Sequence, residues 1–148
     1  MAQISLTSRL KKIEKDLQDT RTEFLLNMAE DIINTTLIPN GVSTRGAVDT
    51  GAYITSHSIR TTRGAGRSRS SHGKPRGQDP EAKAAEAIDQ LLDDIAALPA
   101  DQEQVYFTNA SPHANVVEYV HGYNIYNSVR SRANNHLKDA INTVKARS

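Results

Sequence analysis

Apolar residues in the first quarter of the chain recur at helical spacing. Leu10, Leu17 and Phe24 stand seven apart, and Ile13, Met28, Ile32 and Ile33 widen the same face. Lys11, Lys12, Lys15, Asp16 and Asp19 lie mostly off it. This periodicity predicts an amphipathic helix from about Leu6 to Leu37, stopped by Pro39-Asn40-Gly41. At 1.5 Å per residue it would run about 45 Å, more than the width of a compact domain of this size. One end should therefore project, or the helix should break near Thr20 to Thr22. Tyr53 to Thr62 is rich in Tyr and β-branched residues and predicts a strand, with a turn ahead of it at Val48 to Gly51.

From Arg63 to Asp79 the pattern vanishes. The segment holds one apolar residue, Ala65, four glycines, and no acid before Asp79. Nothing in its composition offsets the entropy of ordering it, so it reads as a flexible loop over 63–79. Helical pattern then resumes with clear punctuation. Asp79 suits the N-cap, Pro80 the first helical position and Glu81 the first turn. Ala84, Ala87, Ile88, Leu91, Leu92, Ile95 and Leu98 follow, and Pro99 ends the run. Val105 to Asn109 predicts a second strand. A short helix over Ala114 to Val120, a loop over Gly122 to Asn127 and a last helix from Ser128 to about Lys145 complete the chain. The predicted fold class is α+β in one domain over 1–148: a long N-terminal helix and further helices packed on a small antiparallel sheet, with a long basic loop.

Composition changes this picture in one respect. Only 37% of the 148 residues are hydrophobic and 5% aromatic, with no Trp. Such a core is thin, which predicts disorder in part of the chain or burial against neighbouring subunits. The 18 Lys and Arg against 17 Asp and Glu leave a net charge of +1, unlike a histone-like or acidic-tail protein. With no Cys, disulfides, thiolate metal sites and cysteine nucleophiles are excluded. No apolar run is long enough for a membrane helix, and Met1 to Arg9 lacks the apolar centre of a secretory signal. A soluble protein made in a cytosol is expected.

Candidate chemistry is sparse. His57, His72, His113, His121 and His136 are scattered. His113 and His121 bracket Glu118, an arrangement that would suit a metal or acid–base site, but a polar loop around a short helix is the better reading. No serine sits in a GxSxG elbow, and the glycines near Gly64 lack phosphate-loop spacing. Neither catalysis nor a cofactor nor a metal is expected. Glu118, inside an apolar run, needs a partner if buried. Asp49 and Thr50 read as turn residues. The main charge feature is Arg60, Arg63, Arg67, Arg69, Lys74 and Arg76, six cations in 17 residues. They would suit sequence-blind contact with phosphates, or an acidic partner surface; no aromatics interleave to stack on bases.

Two segments resemble a phage family. Ala47-Val48-Asp49-Thr50-Gly51-Ala52-Tyr53 resembles a Pro-Val-Asp-Thr-Gly-x-Leu signature that follows a long N-terminal helix. Asn109-Ala110-Ser111-Pro112-His113-Ala114-Asn115-Val116-Val117-Glu118-Tyr119-Val120 resembles a later Asn-x-x-Pro-Tyr-Ala-x-x-Val-Glu-Tyr-Gly signature. His113 and Val120 depart from it. Both belong to the tail-completion or neck proteins of tailed bacteriophages, which join the DNA-filled head to the tail. The likeness spans roughly Leu6 to Tyr126. It implies a structural virion protein without catalysis, forming a homo-oligomeric ring (a hexamer, with a dodecamer second) around double-stranded DNA. Portal or connector and tail proteins would be its neighbours. Asp49, Thr50, Gly51, Ala114, Glu118 and Tyr119 match the signatures and would set fold and assembly. The alternative is a free, sequence-nonspecific nucleic-acid-binding protein using the basic loop.

Overall fold

A computed structural model describes residues 6–39, 46–63, 66–112, 114–115, 117–118 and 122–147. The chain forms α1 (Leu6–Thr36), a 3-10 turn (Ile54–Ser56), β1 (His57–Arg60), α2 (Pro80–Ala96), β2 (Tyr106–Asn109), α3 (Ile125–Arg130) and α4 (Ala133–Arg147). The two strands pair antiparallel, with His57 opposite Asn109 and Arg60 opposite Tyr106. The predicted α+β class stands: helices pack around one small antiparallel sheet. Among the described residues, no helix is long and apolar enough to cross a membrane.

The core joins all layers. Ile32 and Ile33 of α1, Leu91 of α2, Ile54 of the 3-10 turn, and Ile125 and Val129 of α3 are each at most 1% exposed. The capping of α2 follows the sequence: the Asp79 side chain accepts from Ala82 N–H, and Pro80 opens the helix.

Helix α1 settles the length question by projecting. It runs 31 residues without a break, and no Gly or Pro interrupts it. Its C-terminal half enters the core through Leu25, Ala29, Ile32 and Ile33. Helix α4 lies antiparallel beside that half, with Arg132 on Asp31 and Arg147 on Glu23. Beyond Glu23 the helix outruns its neighbour. Residues 7–15 are all exposed, and Leu10, Ile13 and Leu17 are 53%, 54% and 66% exposed. The stretch from Leu6 to Asp19 forms an arm about 21 Å long.

Two expectations are corrected. Strand β1 spans only His57–Arg60, because Tyr53 to Ser56 turn in 3-10 geometry, and the Thr55 and Ser56 hydroxyls donate to the Gly51 and Ala52 carbonyls. The last helix is two helices. Helix α3 begins at Ile125, inside the expected loop, and the chain turns at Ser131–Arg132 before α4. The Ser131 hydroxyl donates to Ser128 O at 2.6 Å at that turn. The expected short helix over Ala114–Val120 lies partly outside the described residues.

Gly46 returns the chain onto the end of α1. Its φ of +66° is left-handed, Ala47 N–H donates to Thr36 O at 2.8 Å, and an added Cβ would overlap that same carbonyl. Gly46→Ala is expected to cost about 2 kcal/mol, from strain and displaced backbone together. A fall in the urea midpoint reads this; an unchanged midpoint would show that the turn can be rebuilt without loss.

Candidate functional site

The signature segments meet inside the molecule. Tyr53 follows the first signature's Asp49-Thr50-Gly51 turn, and its hydroxyl donates to Glu118 Oε1 at 2.9 Å. Asn109, which opens the second signature, donates from its amide to Tyr53 O at 2.8 Å. Ala114 packs against the core. The partner that a buried Glu118 requires is therefore Tyr53. Tyr119, His113 and His121 lie outside the described residues.

His57 is the centre of this network, and its ring is 2% exposed. The Thr36 hydroxyl donates to Ile32 O at 2.7 Å, so at His57 Nε2, 3.3 Å away, it can only accept. That assigns the ring proton to Nε2. Nδ1 is then free to accept from Tyr126 O–H at 2.6 Å and from the Asn109 amide at 3.3 Å. Burial pushes the imidazole down to about 3, so His57 is neutral at pH 7. Burial first, then the charge of Glu118, raises the Tyr126 phenol. Burial also raises the Tyr53 phenol, with help from Tyr126 and Glu118. Both phenols stay protonated donors. Both imidazole nitrogens and both phenol hydroxyls have partners, and Tyr53 and Tyr126 stack edge-on against the imidazole. The network is a rigid polar core that ties the 3-10 turn, β2 and α3 together.

The basic segment is held more firmly than its composition predicts. Arg67 grips Asp94 of α2 through both guanidinium nitrogens at 2.7 and 2.8 Å. It also donates to His57 O at 2.9 Å, and Asp94 accepts from Ile59 N–H at 3.0 Å. Those two backbone groups face away from β2. The ion pair thus completes the open edge of β1 where a third strand would lie. Arg67 N–H and Arg69 N–H donate to the Ser58 and Ser56 hydroxyls, each at 2.9 Å. Asp49 latches the far end: its carboxylate accepts from Arg76 Nε at 2.8 Å and Gly77 N–H at 2.9 Å, and its carbonyl from Gln78 N–H at 2.8 Å.

Two readings change accordingly. The loop is irregular but anchored at both ends, because side-chain and backbone hydrogen bonds supply what apolar residues do not. Asp49 does not serve only its own turn; Thr50 does, accepting from Ala52 N–H at 3.2 Å. Gly51 holds a φ of +84° beside Lys83. Of the six cations, Arg67, Arg69 and Arg76 face carboxylates, Arg69 at 3.7 Å from Glu86. Arg60, Arg63 and Lys74 are exposed, with Arg63 over the Tyr106 ring.

A second polar cluster escaped the sequence reading. Asp31 accepts from Arg132 at 2.8 and 2.9 Å, from His136 Nε2 at 2.6 Å and from the Thr35 hydroxyl at 2.9 Å. Burial alone would raise this carboxyl, but the three donors and the Arg132 charge outweigh it and hold it at about 2. Its members lie about a hundred positions apart, a distance at which spacing carries no signal.

The titratable groups of these clusters are engaged in hydrogen bonds with one another or with the backbone. A groove of about 430 Å³ runs along β1 past Arg60 and Leu98, but its Arg67 and Asp94 already grip each other. Among the described residues, no three His, Asp or Glu are placed to hold a metal ion. No family model, curated protein or solved structure matches the chain. Among the described residues, Leu10, Ile13 and Leu17 form an exposed apolar stripe on the α1 arm.

Proposed function

We propose that the chain is a structural protein of a tailed-phage virion, acting at the head–tail junction. Subunits would form a ring that joins the portal or connector to the tail around the DNA channel. The observation that carries this reading is the α1 arm. Three large apolar side chains, each more than half exposed on one helical stripe, have no partner among the described residues. Such a stripe on a small domain with a thin core is suited to burial against another subunit. The resemblance to neck proteins supplies the place. The meeting of its two signatures at Tyr53, Asn109 and Glu118 makes them parts of one built unit.

A free nucleic-acid binder is the alternative. It has less to draw on than the sequence promised, since Arg67, Arg69 and Arg76 face carboxylates. Electron microscopy of the purified protein and of virions tests the proposal. Ring-shaped particles, and density for the chain at the neck, are expected. A protein that never joins a particle would remove the reading.

A further inference from the structure

We infer that the α1 arm of one copy docks on the outer face of α2 of a second copy, through a two-helix contact between unlike surfaces. The inference rests on the ring reading above and names the contact that would build it.

The arm's stripe continues inward through Phe24 and Met28, which pack against the core, but its own part runs past the subunit. Leu10, Ile13 and Leu17 lie about 100° round the helix from the Leu25, Ala29, Ile32 and Ile33 stripe. Their three–four spacing is the seam of a paired helix. Helix α2 has a matching seam on its exposed side: Ala82, Ala85, Asp89, Leu92 and Ala96 alternate by three and four, and all are exposed. Leu92 is 40% exposed, with Ala96 one turn on and Ala85 two turns before it along the seam, which would let a second helix approach there. This seam lies about 120° from the Ala84, Ala87, Leu91 and Ile95 side that enters the core.

Charge selects the pairing. The first two turns of the arm carry Arg9, Lys11 and Lys12 and no acid. The outer face of α2 presents Glu81, Asp89 and Asp93, exposed and without an ion pair among the described residues. A further exposed apolar pair, Leu137 and Ile141 on α4, is flanked by Lys138 and so matches the arm's charge less well.

A second copy is the occupant because the arm cannot reach its own α2 seam. Helix α1 is continuous from Leu6 to Thr36 and free of Gly and Pro. Its other half is fixed against the opposite side of α2. Because the arm and its docking face are distinct, copies can add head to tail, a heterologous contact that closes into a ring when the rotation between subunits divides a circle.

Mixing two surface variants tests this. Leu10→Asp with Ile13→Asp spoils the arm, and Ala85→Arg with Leu92→Arg spoils the α2 face. All four positions are exposed, so far-UV circular dichroism and thermal midpoints should stay near those of the unmodified chain. The unmodified chain is expected to self-associate by native mass spectrometry, and each variant alone to run as a monomer. Mixed, the variants should form a one-to-one complex of twice the 16.2 kDa chain mass, joined by the one intact arm and the one intact face, and grow no further. Three results would overturn the inference: an unmodified chain that stays monomeric, an α2 variant that assembles like the unmodified chain, or a mixture that stays monomeric. The α2 variant still forming rings would remove only the docking face. The ring reading itself falls if the chain is missing from particles.

Discussion

Between pH 7 and pH 4.5 the fold is expected to lose about 3 kcal/mol of stability through His57 alone. Its imidazole is held at about 3 in the folded chain by burial, against 6.5 when free. Across the interval between those values the unfolded chain binds a proton that the folded chain refuses, so stability falls as pH falls. The contribution is fully present above about pH 6.5 and is lost progressively toward pH 3, at about 1.4 kcal/mol per pH unit. The network leaves no easier outlet. Protonating Nδ1 would turn an acceptor for Tyr126 and Asn109 into a donor facing two donors. His57→Gln separates this effect from general acid sensitivity. The variant should be about 2 kcal/mol less stable at pH 7, having lost an acceptor for the Tyr126 hydroxyl, yet its stability should stay nearly level down to pH 5. Urea midpoints of both proteins across that range read the difference, and parallel profiles would refute the assignment. Below pH 4 a second loss should set in and be shared by both proteins. The Asp31 carboxyl is held at about 2 against 3.8 when free, so its contribution is present above about pH 4 and lost as pH falls through 2.

Arg67→Ala should cost about 3 kcal/mol, as expected when one partner leaves a largely buried ion pair. The side chains of Arg67 and Asp94 are 25% and 17% exposed. Removing the guanidinium strands the Asp94 charge and leaves the outward carbonyl of His57 without its donor. It also frees the start of the 66–78 segment from α2. Replacing both partners, as in Arg67→Met with Asp94→Leu, should recover part of the loss, because no charge is then left unpaired. Equal destabilisation of the single and double variants would mean that the stranded charge is not the cause. A loop that is merely flexible, as the composition of 63–79 predicts, could be cut away without harm to the fold. This segment completes the edge of β1, and its removal should destabilise the protein even before any effect on assembly.

How much of this was legible in the sequence depends on how local its causes are. Helix α2 was readable to the residue at its start, since Asp79 and Pro80 act on their own turn. The existence of α1 was readable from periodicity, and its projection from length. The break between α3 and α4 was not, because Ser131 and Arg132 are ordinary helix residues and the chain turns there with neither Gly nor Pro. The strands were overestimated because composition marks β-prone residues but not where pairing ends; β2 covers only four of them on β1. Among candidate site residues, Glu118 was marked correctly as needing a partner, but the partner lies 65 positions away. The largest gap concerned charge. Six cations without nearby acids looked like surplus, whereas Asp94, Glu86 and Asp49, each distant in sequence, take up half of them.

The continuity of α1 has a consequence for how its free end stays ordered. A detached peptide of fourteen residues would be marginally helical in water, because starting a helix fixes several residues for one hydrogen bond. Here the start is made in the core by Leu25 to Thr36, and the arm has only to extend it. Its amides should therefore show graded hydrogen exchange, slow near Arg21 and fast toward Leu6, with no cooperative step between. An end that frays from its tip rather than melting as a unit still presents Leu17 and Ile13 in register most of the time. A subunit meeting its neighbour would then zip the contact outward from the root of the arm, gaining turn by turn the protection that the solitary chain lacks.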